Sequence, residues 1–295
     1  MNQYITFLDT NENIKSKRSE VMTSCIAAIG KNENGQDVIV FATDHMLSQQ
    51  LGIEESQFEQ AVEKFKMINK DTVLMFSGVT VYFPKIIDAL NSKFGLALAK
   101  TQYADVIKSL TEIMKAFRFQ TFEQEVLDKY KLKFEDVKDA ITKQQYSHPI
   151  LQTILNQLTE YNINSMILSV GFQNDEGQMN IIDDFREYSY RDNNFSAIGS
   201  GWPQASSTLM FQKHSKNNDV ATTLYNVYKA KKNSEVARGV GKETDLYIFL
   251  KNKGLLKITD KQEKILSTIY NRELKFGKTN NRLKEVIKEV LKDEQ

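Results

Sequence analysis

One threonine near the start of the chain is placed where it could act as a nucleophile. Thr23 lies in the stretch VMTSCIAAIG, residues 21–30, where a polar segment gives way to an apolar run. A threonine hydroxyl is a weak nucleophile unless a base lies beside it, and the free α-amino group of the same threonine is one such base. As written, 22 residues precede Thr23, so this chemistry requires their removal or absence. The alternative is an ordinary strand residue, because threonine has high β-propensity.

The other residues with reactive side chains are less well placed. Cys25 is the one cysteine, which excludes an intramolecular disulfide framework. It shares strand parity with Thr23, but without an N-terminal amine of its own we interpret it as a small buried hydrophobe. His45, His148 and His214 have no metal-like spacing to one another or to acidic residues, and GVGKET lacks the spacing of a phosphate-binding loop. We therefore assign no metal, nucleotide or other cofactor.

The composition is that of a folded protein without a dominant charge. Hydrophobic residues make up 41% of the 295 residues and charged residues 26%, with 39 Lys and Arg against 38 Asp and Glu. This balance indicates neither disorder nor a basic nucleic-acid surface. No stretch approaches the roughly 20 apolar residues that span a bilayer, and the N-terminus lacks an apolar signal segment. We expect a soluble cytoplasmic protein with no nucleic-acid or membrane partner.

The periodicity of apolar residues predicts which elements position these side chains. Strand-like runs come first, with a polar KNENGQ turn between the first two, and a helical block follows. A second group of strands, one helix and a closing hairpin complete the pattern. The predicted strands are residues 23–30, 37–44, 71–78, 165–173, 179–185, 195–201, 244–252 and 254–259, and the predicted helices lie within 84–162 and at 219–232. This order predicts an α+β domain of antiparallel sheets with helices packed outside.

The two ends of the chain differ from this central pattern. Residues 1–22 are polar and mixed, and we interpret them as an extension or propeptide. The last segment, 260–295, starts with a helix signal at Asp260 and Glu263 and continues with an apolar stripe over residues 283–291. We predict a domain over 23–259, with a helical insertion at about 119–161, and a helical tail that packs on its own domain or on a neighbouring subunit.

Five segments, taken in order, resemble a known family. They are TSCIAAIG…DVIVFATDHMLS, KFKMINKDTVLMFSG, MILSVGFQNDEGQMNIID, FSAIGSG and ARGVGKETDLYIF. Their order and approximate spacing, from Thr23 to about Thr259, resemble proteasome-type subunits of the N-terminal-nucleophile hydrolase superfamily. The resemblance implies a four-layer αββα sandwich of two antiparallel sheets between helical layers. It also implies a homo-oligomer, with an ATPase as a further candidate partner.

The resemblance assigns roles to three residues around the nucleophile. Thr23 occupies the position of the N-terminal threonine, and Asp44 that of the acidic residue beside it. Lys64 falls where the family has its catalytic lysine. Lys66 is the competitor, because it lies two residues away and would share a strand face with Lys64.

Three further positions follow from the same resemblance. Ser200 in IGSGW matches the serine that orients the threonine amine. Gly78 matches the glycine whose backbone N–H supplies an oxyanion hole. Glu235 in SEVARGVG is the nearest candidate for the acidic residue before the late glycine-rich turn, with its spacing off by about one residue.

The implied activity is amide or peptide hydrolysis through an acyl-enzyme intermediate on Thr23. Met22 stands where self-cleaving members carry glycine, so either processing or translation from Met22, followed by removal of that methionine, would expose Thr23. If the extension stays in place, the protein is instead a non-catalytic structural or assembly subunit. The insertion, and Trp202 and Pro203 after the GSG turn, depart from the family pattern and could shape the site.

Overall fold

The computed structural model describes residues 23–51, 54–59, 63–143 and 149–276, with the backbone alone for 46–51 and 54–59. The strands are β1 (Cys25–Lys31), β2 (Asp37–Asp44), β3 (Met46–Leu51), β4 (Glu54–Glu59), β5 (Phe65–Asn69), β6 (Thr72–Gly78), β7 (Ser165–Gln173), β8 (Glu176–Ile182), β9 (Glu187–Ser189), β10 (Phe195–Ile198), β11 (Thr244–Leu250) and β12 (Gly254–Lys257). The α-helices are α1 (Tyr82–Phe94), α2 (Tyr103–Glu125), α3 (Phe134–Thr142), α4 (Pro149–Glu160), α5 (Trp202–Phe211), α6 (Val220–Ser234) and α7 (Asp260–Phe276). The predicted extension, the apolar stripe of the tail and His148 lie outside the described residues.

Two five-stranded antiparallel sheets form the centre of the molecule. The first has the order β10-β1-β2-β11-β12 and the second the order β5-β6-β7-β8-β9, while β3 and β4 pair as a separate hairpin. This arrangement confirms the predicted α+β class with antiparallel sheets and helices outside. Among the described residues, no helix has the length and apolar character needed to cross a membrane.

The β1–β2 hairpin sets the geometry of the candidate site. The Asn32 side-chain oxygen accepts hydrogen bonds from the N–H groups of Asn34 and Gln36, at 3.0 and 2.9 Å, and Gly35 adopts a φ of 73°. Asn and Gly favour such a turn, because Asn bonds the nearby backbone and Gly carries no Cβ. The register pairs Cys25 with Thr43. The start of β1 therefore meets the end of β2 at one edge of the sheet.

The inner faces of the two sheets bury a shared core. Because β1 and β2 are covered on both faces, each is a nearly continuous apolar run. Alternate residues of the first sheet meet alternate residues of the second. This core comprises Cys25, Ala27, Ile29, Ile39, Phe41, Ile198, Tyr247 and Phe249 on one side, and Phe65, Val73, Met75, Leu168, Val170, Phe172, Met179 and Ile181 on the other.

Helices cover the outer face of each sheet. Helices α5 and α6 pack on the first sheet, and α7 packs against α6, with Leu266 and Ile269 of α7 buried in the same apolar core. Helices α1 and α2 pack on the second sheet through Leu90, Leu110 and their neighbours. The layers are therefore helix, sheet, sheet and helix, and the described start of the tail packs on its own domain.

The predicted insertion forms a small helical unit at the end of α2. Helix α2 continues to Glu125, and a short 3₁₀ helix (Leu127–Tyr130), α3 and α4 follow. Phe122, Val137 and Ile154 belong to its separate apolar cluster. Arg118 joins this unit to the second sheet, since its guanidinium donates to the carbonyls of Tyr161 and Leu158 and lies 3.6 Å from Asp184, which follows β8.

Candidate active site

Thr23 and Asp44 meet at the edge where β1 begins and β2 ends. Thr23 Oγ1 donates a hydrogen bond of 2.6 Å to Asp44 Oδ1, and the Ser24 N–H donates to the same oxygen at 3.1 Å. Both side chains are buried, with Thr23 only 2% exposed. The hairpin register brings them together although they are 21 positions apart in the chain.

Lys64 completes this cluster from the second sheet. Its Nζ donates to Asp44 Oδ1 at 2.8 Å and also to Thr23 Oγ1. Lys64 directly precedes β5, and its carbonyl accepts a hydrogen bond of 2.9 Å from the Phe76 N–H, which fixes the lysine backbone against β6. Lys66 is exposed and pairs with Leu74 across β5 and β6. Of the two lysines that the sequence left open, the structure brings Lys64 to Thr23.

The turn at residues 199–201 holds the carbonyl of Thr23. Ser200 Oγ donates to Thr23 O at 3.4 Å, and the Gly201 N–H donates to it at 3.3 Å. Gly199 has a φ of 90°, and a Cβ there would lie 2.2 Å from Thr23 O. Ser200 thus lies at Thr23, and the contact observed is to its carbonyl. An orienting contact with a freed amine stays a prediction.

Gly78 ends β6 in a backbone conformation that requires glycine. Its φ is 120°, and a Cβ there would lie 2.1 Å from Asn164 O. Two residues earlier, Phe76 pairs with Lys64, and its carbonyl accepts a 3.4 Å hydrogen bond from Cys25 Sγ. The end of β6 is therefore fixed relative to the site, and the oxyanion role of the Gly78 N–H stays a prediction.

Glu235 lies at the C-terminal end of α6 and faces lysines. Its carboxylate accepts hydrogen bonds from Lys231 at 2.9 Å and from Lys232 at 3.0 Å. The preceding residue, Ser234, comes closer to the candidate nucleophile, because its Oγ lies 3.0 Å from Ser24 Oγ. Glu235 is linked to Asp44 through Lys231 and Gly241, and its role as the acidic residue of the site stays a prediction.

Two contacts to the site were missed at the level of sequence. The Gly241 N–H donates to Asp44 Oδ2 at 2.8 Å, and Lys231 Nζ donates to Gly241 O at 2.8 Å. By residue type alone, Lys231 cannot be distinguished from the solvent-exposed lysines of the chain. Its position in the helix is the signal, because it follows the buried Val227 by four residues and the buried Leu224 by seven, and so occupies the same buried face of α6.

Cys25 belongs to the core between the sheets. It is fully buried, and this burial raises the pKa of its thiol well above the ordinary value, although Lys64 acts in the opposite direction. A thiol that stays protonated is a poor nucleophile. The structure therefore agrees with its interpretation as a buried hydrophobe.

A cluster of ionisable groups follows directly after Asp44. His45 Nε2 lies 2.7 Å from Asp245 Oδ2, and His45 Nδ1 lies 3.0 Å from Glu243 Oε2. Lys257 Nζ lies 2.7 Å from the other oxygen of Asp245. Within the described part of the chain, no group of three or more His, Cys, Asp and Glu residues is arranged to hold a metal ion.

A surface depression of about 1000 Å³ lies at the opposite end of β1 from Thr23. It is lined by the β1–β2 turn and by charged residues of both signs, among them Lys31, Asp37 and Arg191. No protein-family model and no curated protein matches the chain.

Proposed function

We propose that this chain is a proteasome-type N-terminal threonine hydrolase that cleaves peptide or amide bonds once Thr23 is its first residue. The observation that carries the proposal is the position of Thr23 Oγ1 between Asp44 Oδ1 and Lys64 Nζ. The two-sheet architecture with outer helices supports it, because it brings Thr23 and Asp44 of the first sheet against Lys64 of the second. The strand order of the resembling family supports it as well.

Exposure of Thr23 supplies the base. An α-amine with an ordinary pKa of roughly 8 accepts the Oγ1 proton near neutral pH. Lys64 donates to Thr23 Oγ1, and its ammonium stabilises negative charge that develops on this oxygen. Asp44 holds the lysine through their 2.8 Å contact.

The reaction is acyl transfer. Oγ1 forms a bond to the substrate carbonyl carbon while its proton moves to the α-amine. The C–N bond then breaks, and the leaving amine takes that proton. Water hydrolyses the resulting ester, or a second amine takes the acyl group. The Gly78 N–H is the proposed oxyanion donor, an interaction worth roughly 3 kcal/mol in acyl-transfer sites.

A non-catalytic assembly subunit is the second candidate. The observation that favours it is that Thr23 is only 2% exposed and is bonded through its nitrogen to Met22 in the sequence as written. A threonine in that state lacks the amine base. Self-association into a homo-oligomer, an ATPase partner and a cytoplasmic location belong to the proposal for either candidate.

The intact mass and N-terminal sequence of the protein from its own host separate the two candidates. We expect a chain that begins at Thr23. A chain that retains residues before Thr23 would favour the assembly subunit, because its threonine nitrogen would be blocked.

Covalent labelling tests the chemistry directly. A peptidyl epoxyketone has two electrophilic carbons, so the hydroxyl and the free amine of one threonine can each form a bond to it. We expect one adduct on Thr23, its loss in Thr23→Ala, and its retention in Thr153→Ala, which changes an exposed threonine on α4. A wild-type protein that starts at Thr23 and forms no adduct would contradict the proposal.

A further inference from the structure

Lys231 is a fully buried lysine close to the candidate site. It lies on the inner face of α6, with its side chain 0% exposed. Its Nζ donates to Glu235 Oε1 at 2.9 Å and to Gly241 O at 2.8 Å. Burial lowers the pKa of Lys231, and the Glu235 carboxylate opposes this effect. The ammonium thus has a built set of partners rather than a chance position.

Gly241 carries the contact onward to Asp44. Its N–H donates to Asp44 Oδ2 at 2.8 Å, while Asp44 Oδ1 accepts from Thr23 and Lys64. Residues 239–243 lie between α6 and β11 in no helix or strand. Side chains of α6 reach this loop, and Lys231 holds the glycine whose N–H donates to the aspartate.

We propose that Lys231 is a positioning residue for the Thr23 reaction, acting through Gly241 on the carboxylate of Asp44. The inference rests on the proposed function. Asp44 has to present one oxygen to both Thr23 and Lys64, and a carboxylate is free to rotate unless its second oxygen is also held. The Gly241 N–H can bond the second oxygen of Asp44 only while the loop of residues 239–243 keeps its position.

A buried lysine is not explained by stability alone. Buried ion pairs often stabilise a fold no better than apolar side chains of similar volume, because desolvation offsets their attraction. An ammonium supplies three donors, which an apolar residue cannot. It can therefore donate to the Gly241 carbonyl and to Glu235 at the same time, and so fix the position of the loop relative to the end of α6.

The test separates the binding and bond-forming steps of epoxyketone labelling in the protein that begins at Thr23. Lys231→Met keeps an unbranched side chain but removes the donors. We expect the maximal labelling rate to fall about 10- to 100-fold, because misplacing a catalytic group by about 1 Å costs this much. The probe concentration at half-maximal rate should stay unchanged, since Lys231 does not line the surface that receives the probe.

Lys229→Met is the matched control. Lys229 also lies on α6 and also pairs with a glutamate, Glu273 of α7, on the side away from Asp44. This variant loses a comparable ion pair, and we expect it to label at the wild-type rate. Equal slowing of both variants would mean that a weakened α6 explains the effect, and would overturn the proposal.

A milder variant covers the case in which Lys231→Met fails to fold. Glu235→Gln keeps an oxygen that accepts from Lys231 but removes its charge, which weakens the bond. We expect a smaller fall in the maximal labelling rate, together with faster hydrogen exchange at the Gly241 amide. Wild-type values for both quantities would overturn the role of Lys231.

The labelling results distinguish an error in the role of Lys231 from an error in the proposed function. If wild-type protein labels at Thr23 and Lys231→Met labels equally fast, the positioning role is wrong and the hydrolase proposal stands. If folded wild-type protein that begins at Thr23 forms no adduct, both are wrong, whatever the exchange rate of Gly241.

Discussion

The carboxylate of Asp44 lies 2.8 Å from the ammonium group of Lys64, and the two side chains are 0% and 5% exposed. Burial removes water from both charged groups, and this cost offsets much of their attraction. Stabilisation of the fold therefore does not by itself explain the pair. Here the hydroxyl of Thr23 contacts both members. An alcohol between an anion and a cation is oriented and polarised, which is what nucleophilic attack requires.

Replacing each of two neighbouring lysines distinguishes the catalytic assignment from its competitor. Lys64→Met removes the donor to Thr23 Oγ1, and we expect the epoxyketone labelling rate to fall at least about 10²-fold, the scale of a lost electrostatic contact in acyl transfer. Lys66→Met changes an exposed residue and should leave the rate unaltered. Circular dichroism confirms that both variants fold. Retained labelling in a folded Lys64→Met protein would remove the central argument for the site.

Two glycine substitutions separate the free-energy cost of a steric clash with Thr23 from the cost of a positive φ. Gly254 has a φ of 77° with open space around it, so Gly254→Ala should cost about 1 kcal/mol for the positive φ alone. Gly199→Ala adds a Cβ that would lie 2.2 Å from Thr23 O, and we expect a loss of about 3 kcal/mol or more. Urea unfolding measures both values. Equal losses would show that the turn does not press on Thr23.

The sequence predicted most of the fold because its strands carry strong local signals. β1, β2 and β6 are apolar runs bounded by turn residues, and the predicted bounds of β2 coincide with the observed Asp37–Asp44. Helix α5 was missed, because WPQASSTLMF has little helical periodicity, although Pro203 in its first turn is a start signal. The β3–β4 hairpin and the short strand β9 were likewise not assigned as elements, whereas β5 was assigned only as part of a segment that carries the family resemblance.

The site was only partly readable from sequence for a different reason. Thr23, Asp44 and Lys64 lie in separate segments, and no period along a chain encodes contact between them, so their grouping came from the resemblance. The link from Gly241 to Asp44 was missed because a backbone N–H donor leaves no mark in the residue type. Lys231 could have been found, since a lysine inside the apolar stripe of α6 conflicts with that stripe.

His45 should make stability depend on pH beside the site. Burial lowers the pKa of His45, but the carboxylates of Asp245 and Glu243 raise it by more, so its pKa lies above the ordinary value. The resulting stabilisation is fully present below about pH 6.5, the unfolded value, and is lost as pH rises through the folded pKa. We expect His45→Gln to cost on the order of 1 kcal/mol at low pH and less at high pH, measured by urea unfolding.

His214 provides a control with the opposite sign. It is buried with Nε2 2.9 Å from Ile29 O, and burial lowers its pKa. The unfolded chain then binds the extra proton, so His214 reduces stability as pH falls through its ordinary value. The cost of His214→Asn should therefore be greatest at high pH. Parallel pH trends in the two variants would show that His45 has no special partnership with its carboxylates.

Arg118 should hold the helical insertion to the sheets. Its guanidinium donates to the carbonyls of Leu158 and Tyr161, lies 3.6 Å from Asp184, and stacks 4.2 Å from the centre of the Phe185 ring. Arg118→Met leaves a buried carboxylate and two carbonyls without this donor, and we expect a loss of about 3 kcal/mol in the free energy of unfolding.

The comparison for Arg118 is a surface pair on the same helical layer. Lys93→Met breaks an exposed contact of 2.6 Å between Lys93 and Glu112, and such pairs contribute little because water screens them. Hydrogen exchange should show that Arg118→Met exposes the amides of α4 before those of the central sheets, whereas Lys93→Met leaves both unaffected. Uniform weakening of the whole domain in Arg118→Met would mean that the insertion is part of the main folding unit rather than a segment fastened to it by this arginine.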